Sequence, residues 1–259
     1  MKVTLLGTGT SGGVPSLGCN CEVCRSTDPH DKRLRSAAMI ETENTRILID
    51  AGPDIRQQLL RVPFRKIDGV LVTHIHYDPV GGIDDLRPFC IFGDINIYGD
   101  EIVTAGLPHT MPYCFPKNAE KLYPGVPKLK LHTIHPHEHY QIGDIEFVPI
   151  RVMHDKMPIL GYRFGKFAYI TDMKSMGDEE YAYLEGVEML VINALRFEKT
   201  HHSHQLVSDA IEVSRRIGAK HTYFIHVTHQ IGFHDEANKR LPEGFEFGFD
   251  GMEIYVEKE

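Results

Sequence analysis

The chain has 259 residues, 42% of them hydrophobic, and a formal charge of −8 with a sequence pI near 6.0. That length supports one large domain or two small ones. The acidity argues against broad binding to nucleic acid or anionic membrane, which relies on Lys and Arg, but leaves room for a small anionic substrate where a metal cluster supplies local positive charge.

The N-terminus, Met1-Lys2-Val3-Thr4-Leu5-Leu6-Gly7, reads as a strand entering a glycine turn. It has neither the length nor the cleavage site of a secretory signal. No apolar run approaches the ~18 residues of a membrane span, so a cytoplasmic protein is expected. Next come Cys19, Cys21 and Cys24, spaced C-x-C-x-x-C. With no export signal, an odd total of five cysteines and three of them crowded, this spacing favours metal over disulfides. Cys90 and Cys114 lie apart and read as small buried hydrophobes.

Strand-like runs follow the first strand (3–7) at 37–40, 46–50, 70–73, 95–98, 129–134, 146–150, 161–164, 168–171, 189–193, 222–226 and 252–256. Most are rich in Val, Ile, Tyr or Phe and bounded by Gly, Asp or Pro. Helical stretches are fewer: Asp54–Arg61, Glu179–Glu185 and His204–Ile217. The last is the clearest, with Leu206, Ala210, Ile211, Val213 and Ile217 as an apolar stripe and Gly218 at the C-cap position. Many strands with few helices argue for stacked sheets flanked by helices. No linker, repeat or low-complexity tract divides residues 1–259, which read as a single domain. Residues 106–127, rich in Pro, Tyr and Phe, read as a long excursion: a lid, a subunit contact or an ordered surface loop.

Chemistry concentrates in Thr73-His74-Ile75-His76-Tyr77-Asp78-Pro79, directly after an apolar strand. Imidazoles at i and i+2 and a carboxylate at i+4 can share a metal only where the backbone turns off a strand end. Such a donor set suits zinc, manganese or iron. The same placement recurs: His154, Asp172 and His226 each follow an apolar strand. Of the other histidines, His132, His135, His137 and His139, with His30, His109, His201, His221 and His234, read as ordinary surface residues.

The ordered set resembles the metallo-β-lactamase superfamily, whose motif at this point is H-x-H-x-D-H; here Pro79 stands in place of the last histidine. Gly7-Thr8-Gly9-Thr10-Ser11-Gly12-Gly13-Val14-Pro15 with the cysteine motif, and Ile225-His226-Val227-Thr228-His229-Gln230, resemble more specifically the PhnP-type phosphodiesterases. Those enzymes cleave small cyclic phosphodiesters.

The resemblance implies an α/β fold, the αββα sandwich of two mixed sheets flanked by helices. It implies a first metal held by His74, His76, His154 and a bridging Asp172, and a second held by Asp78, Asp172 and His226. A structural zinc would be held by Cys19, Cys21, Cys24 and His229, in an N-terminal loop at about residues 15–30. His204 would act on the phosphate or the leaving group, with Asp78 as the other catalytic candidate. The competing reading of the 201–205 segment makes Ser203 or His202 a helix cap and leaves His204 exposed. The expected activity is metal-dependent hydrolysis of a small anionic phosphodiester by activated water, with zinc or manganese at the active site. A homodimer is implied, and neither a membrane nor a stable nucleic-acid partner is expected. The alternatives are a non-catalytic or impaired metal-binding protein resembling PqqB and, further off, a nuclease resembling ribonuclease Z. Proline suits a first helical turn, so the fold is expected to survive at position 79, but it offers the metal no donor atom. The second metal is expected to bind more weakly, or to recruit water or a carboxylate such as Asp84.

Overall fold

Strand β3 (Arg46–Ile49) turns Ile47 and Ile49 to one face and Leu48 to the other, and all three are fully buried. A strand covered on both sides must lie inside a layered stack. β10 (Phe167–Ile170) repeats the pattern with Phe167 and Tyr169 inward and Ala168 and Ile170 outward. The computed structural model, which describes residues 1–115 and 125–257, resolves this demand into four layers.

The first sheet is built from β1 (Lys2–Gly7), β2 (Ala37–Glu41), β3, β4 (Gly69–Leu71), β5 (Ile95–Gly99), β6 (Leu129–Thr133) and β14 (Glu253–Tyr255), in the order β14-β1-β2-β3-β4-β5-β6. The second contains β7 (Tyr140–Ile142), β8 (Ile145–His154), β9 (Met157–Phe164), β10, β11 (Met189–Asn193), β12 (His221–Ile225) and β13 (Phe245–Phe247), in the order β13-β12-β11-β10-β9-β8-β7. Each sheet is antiparallel on one side and parallel on the other. The change falls between β3 and β4 in the first sheet and between β10 and β11 in the second.

Between the sheets lies a core that includes Val3, Ile40, Phe147, Tyr162, Val191 and Ile225. The outer face of the first sheet packs Val70 and Ile97 beneath α2 (Ile55–Leu59) and α4 (Glu101–Thr110). The outer face of the second packs Leu190, Ile192 and Phe224 beneath α5 (Val207–Ile217) and α6 (His234–Asn238). The result is the expected αββα sandwich.

Several elements differ from the sequence reading. β7 and β13 are three-residue edge strands, too short to carry an alternation signal. α4 was hidden by Gly106 and Pro108, which read as breakers; Asp100 caps it by accepting from Val103 N at 2.9 Å. Residues 106–110 of the expected excursion therefore close a helix, Pro112–Cys114 form a 3-10 turn, and 116–124 lie outside the described residues. Asp178–Leu184 form a 3-10 turn rather than an α-helix. The long helix starts at Val207 rather than His204, because Asp209 reaches back to accept from Leu206 N at 2.9 Å. Gly218 closes it in the left-handed conformation, as its position suggested.

Candidate metal centre

The strand ends supply the side chains, and the backbone is bent there to aim them. Asp50, Asp172 and His226, which follow β3, β10 and β12, have φ of 62°, 56° and 54°. Left-handed backbone is uncommon away from glycine, and strain of this kind gathers where a side chain must be held in one place. Met173 locks the turn after Asp172: its N donates to Asn193 Oδ1 at 2.8 Å, and its O accepts from Asn193 Nδ2 at 2.9 Å.

After β4 the chain runs through His74 and His76 into α3 (Tyr77–Val80). Pro79 is buried in the first turn of this short helix, where the absence of an N–H costs nothing. Its carbonyl accepts from Ala51 N at 2.7 Å. The proline thus fits the backbone and offers the pocket no donor atom.

Three overlapping donor groups result, each with its ligand atoms within 4.8 Å of one another: His74, His76 and His154; Asp78, Asp172 and His226; and His154, Asp172 and His204. His74 Nε2 and His76 Nδ1 are 3.1 Å apart. Two imidazole nitrogens on one tetrahedral zinc at 2.0–2.1 Å would be ~3.3 Å apart, so this pair is spaced for a shared cation.

Hydrogen bonds fix which nitrogen each histidine presents. Thr73 Oγ1 donates to Asp50 Oδ2 at 2.9 Å, so it accepts from His74 Nδ1 at 3.0 Å and leaves His74 Nε2 unprotonated, towards His76 Nδ1. His154 Nδ1 donates to Asp172 O at 2.8 Å, leaving its Nε2 free. His226 lies between Thr10 Oγ1, 3.2 Å from Nε2, and Ser36 Oγ, 3.3 Å from Nδ1. The glycine-rich N-terminal loop thereby reaches the pocket.

Burial drives the electrostatics. The Asp172 carboxyl is pushed up to about 6, and Asp78 and Asp50 are raised as well, chiefly because each is removed from water. Burial also lowers His226 to about 4, and lowers His74 and His204 as well. Neutral imidazoles next to carboxylates without a cationic partner make a site that a divalent metal would stabilise, and a metal would reverse these shifts. The donor set fits zinc or manganese.

Cys19, Cys21 and Cys24 also draw their sulfurs within 4.8 Å of one another, and Cys21 Sγ accepts from Cys24 N at 3.4 Å. His229 is not part of that group. It opens the 3-10 turn His229–Ile231 after β12. His30, His234 and Asp235 form another group. There both ring nitrogens of His234 already face nitrogen donors, Arg33 Nη2 and Asn238 Nδ2, each at 3.0 Å, and a guanidinium so near disfavours a cation.

Nearby charged side chains have structural partners. Arg33 is buried and donates to Thr8 Oγ1, while Arg35 pairs with Asp54 at 3.1 Å. Asp84 pairs with Arg87 and accepts from Tyr113 Oη at 3.2 Å. Asp50 and Thr73 were overlooked in the sequence. Asp50 carries the same signal as Asp172, an acidic residue directly after an apolar strand.

Among the described residues, no helix is long and apolar enough to cross a membrane. A family profile described as "Beta-lactamase superfamily domain" matches residues 45–227. A solved structure titled as a new diphosphatase from the PhnP family superposes with a TM-score of 0.90 at 36% identity, covering 99% of this chain and 98% of that one. A Porphyromonas gingivalis protein named octanoyltransferase is 42% identical over all 259 residues; the chain spans about half the length of that relative, 52%. The coenzyme PQQ synthesis protein B of Rhodopseudomonas palustris is 34% identical over 108 residues, 36% of this chain and 35% of that protein. On the extent of the family match and the shared αββα architecture, this chain belongs to the metallo-β-lactamase superfamily.

Proposed function

We propose that this chain is a metal-dependent phosphodiesterase acting on small, cyclic phosphodiesters. The observation that carries the reading is the convergence of His74, His76 and His154 with Asp78, Asp172 and His226: two donor groups linked by a third, in which His154 and Asp172 come together. The likeness to a PhnP-family diphosphatase over nearly the whole chain supports it.

A divalent metal in this donor set supplies Lewis-acid charge and makes water nucleophilic near neutral pH. The protein's own part is positioning. His74 and His154 present Nε2 because Thr73 and the Asp172 carbonyl occupy the other nitrogen. Asp172, buried and steadied by a hydrogen bond from Thr171 Oγ1 at 2.8 Å, groups with Asp78 and His226 and also with His154, and would be the carboxylate that two metals share. His74 and Asp172 are buried while His76 is exposed, so the donor cluster is reached from the His76 side. A strained cyclic diester makes modest demands on leaving-group protonation. The reading carries a small anionic substrate, a cytoplasmic homodimer, zinc at the cysteine loop, and no stable nucleic-acid partner.

A second reading, a metal-binding protein of PqqB type with little or no hydrolysis, draws on the donor missing at Pro79 and on the partial identity to that protein. Octanoyl transfer is the name of a protein about twice as long, and the donor set of this pocket does not call for it. The test is turnover of cyclic and linear phosphodiesters by protein purified without chelator, before and after metal removal. Cleavage that vanishes with the metal and returns with zinc or manganese supports the first reading. Full metal content with no cleavage across the panel supports the second.

A further inference from the structure

We propose that His204 is a protein ligand of an active-site metal, supplying the imidazole that position 79 lacks. The proposal rests on reading the pocket as a metal centre, but not on what that centre hydrolyses.

Three observations point to it. His204 is only 8% exposed, and its Nδ1 is buried without a hydrogen-bond partner. A buried ring nitrogen left unpaired is costly, and such groups usually mark a missing ion or a functional role. A ring nitrogen of His204 groups with donors of His154 and Asp172 within 4.8 Å, and Asp172 is the carboxylate that also belongs to the Asp78 and His226 group. The ring lies 4.9 Å from His154 and 4.8 Å from His226, centre to centre, so it stands between the two sets of donors.

The segment is also held as a ligand segment must be. Lys174 Nζ donates to His204 O at 3.2 Å, and Gln205 N donates to Met173 O at 3.3 Å. Gln205 Nε2 donates to Asn193 O at 2.8 Å, next to the side chain that locks Met173. His204 is thus tied to the turn that carries Asp172. Of the alternatives at hand among the described residues, Pro79 has no donor atom and Asp84 is engaged with Arg87 and Tyr113. Imidazole suits zinc and manganese alike. A nitrogen bound to metal cannot deliver a proton, so this assignment withdraws His204 from the leaving-group role that the family resemblance implied.

The test measures metal rather than turnover. Wild type, His204→Ala, His204→Gln, Pro79→His and the double variant Pro79→His/His204→Ala are purified without chelator. Metal per chain is counted by elemental analysis, and the absorption spectrum is recorded after cobalt(II) loading. The expected result is a loss of about one metal per chain, or a tenfold or greater fall in cobalt affinity, in His204→Ala. The spectrum should change as well, and the double variant should recover the lost metal. Wild-type metal content with an unchanged cobalt spectrum in His204→Ala overturns the proposal, as does a double variant that recovers nothing. Should His204→Ala lose its far-UV circular dichroism, the same readouts on His204→Gln decide. A protein that binds metal through His204 yet cleaves no phosphodiester would sink the phosphodiesterase reading alone.

Discussion

The carboxylate of Asp50 takes both hydrogen bonds that Thr73 offers, from the backbone N at 2.8 Å and from Oγ1 at 2.9 Å. Because the hydroxyl proton points at Asp50, the Thr73 oxygen can only accept from His74 Nδ1, and His74 is left with Nε2 facing the pocket. Asp50 therefore sets the tautomer of a candidate ligand it does not touch. In Asp50→Asn, one acceptor becomes a donor and confronts a Thr73 donor. The hydroxyl must then turn its proton towards His74. Loss of such an outer partner costs about 10–100-fold in metal affinity. That loss is the expected outcome, measured by competition with a chelator, with the far-UV circular dichroism unchanged. Wild-type affinity in Asp50→Asn would remove Asp50 from the metal centre.

Gly52 lets the loop after β3 lie directly against α3. A Cβ there would sit 1.9 Å from the carbonyl oxygen of Asp78 and 3.0 Å from its carbonyl carbon, both backbone atoms that no rotamer change can clear. Gly52→Ala should therefore push α3 outward and carry the Asp78 carboxylate away from Asp172 and His226. Overpacking typically costs about 1–3 kcal/mol. Urea unfolding should show a loss of that size, accompanied by weaker metal binding. A variant that loses stability but keeps full metal content would show that α3 can shift without moving Asp78.

How much of this could be read from the residues varies with how local the cause is. Both sheets were visible because strands such as β3, β10 and β11 are apolar on both faces and bounded by turn residues. The six residues at strand ends were visible for a related reason, since a His or Asp straight after a buried strand breaks the apolar run. α4 was missed because Gly106 and Pro108 outweighed the Asp100 cap, while the 3-10 run Ile83–Phe92 contains Pro88. Asp50 was missed in its function because its partners, Thr73 and His74, lie more than twenty residues along the chain and only the β3–β4 pairing brings them together. The unpaired nitrogen of His204 is likewise a property of packing, with no counterpart in the order of residues.

A buried histidine outside the candidate metal centre makes stability depend on pH. His234 is buried against Arg33, with His30, Asp31 and Asp235 as its other charged neighbours, and burial together with the guanidinium lowers it to about 4. Its folded value therefore lies below the ordinary 6.5 of an unfolded histidine. Between these values the unfolded chain binds a proton that the folded chain does not. The stabilisation is complete above about pH 6.5 and is lost as the pH falls towards 4. Asp250, raised to about 6 by burial and coupled to the same Arg33, has the opposite sign over part of that window. Total stability is therefore a poor readout, and the comparison must be with His234→Gln, which keeps Asp250 and removes the titrating ring. Urea unfolding at pH 7 and pH 5, with both proteins in the same metal state, should show wild type losing about 1–2 kcal/mol more than His234→Gln over that interval. Equal losses in the two proteins would mean that His234 takes up its proton in the folded state as readily as in the unfolded one, and that Arg33 does not hold it neutral.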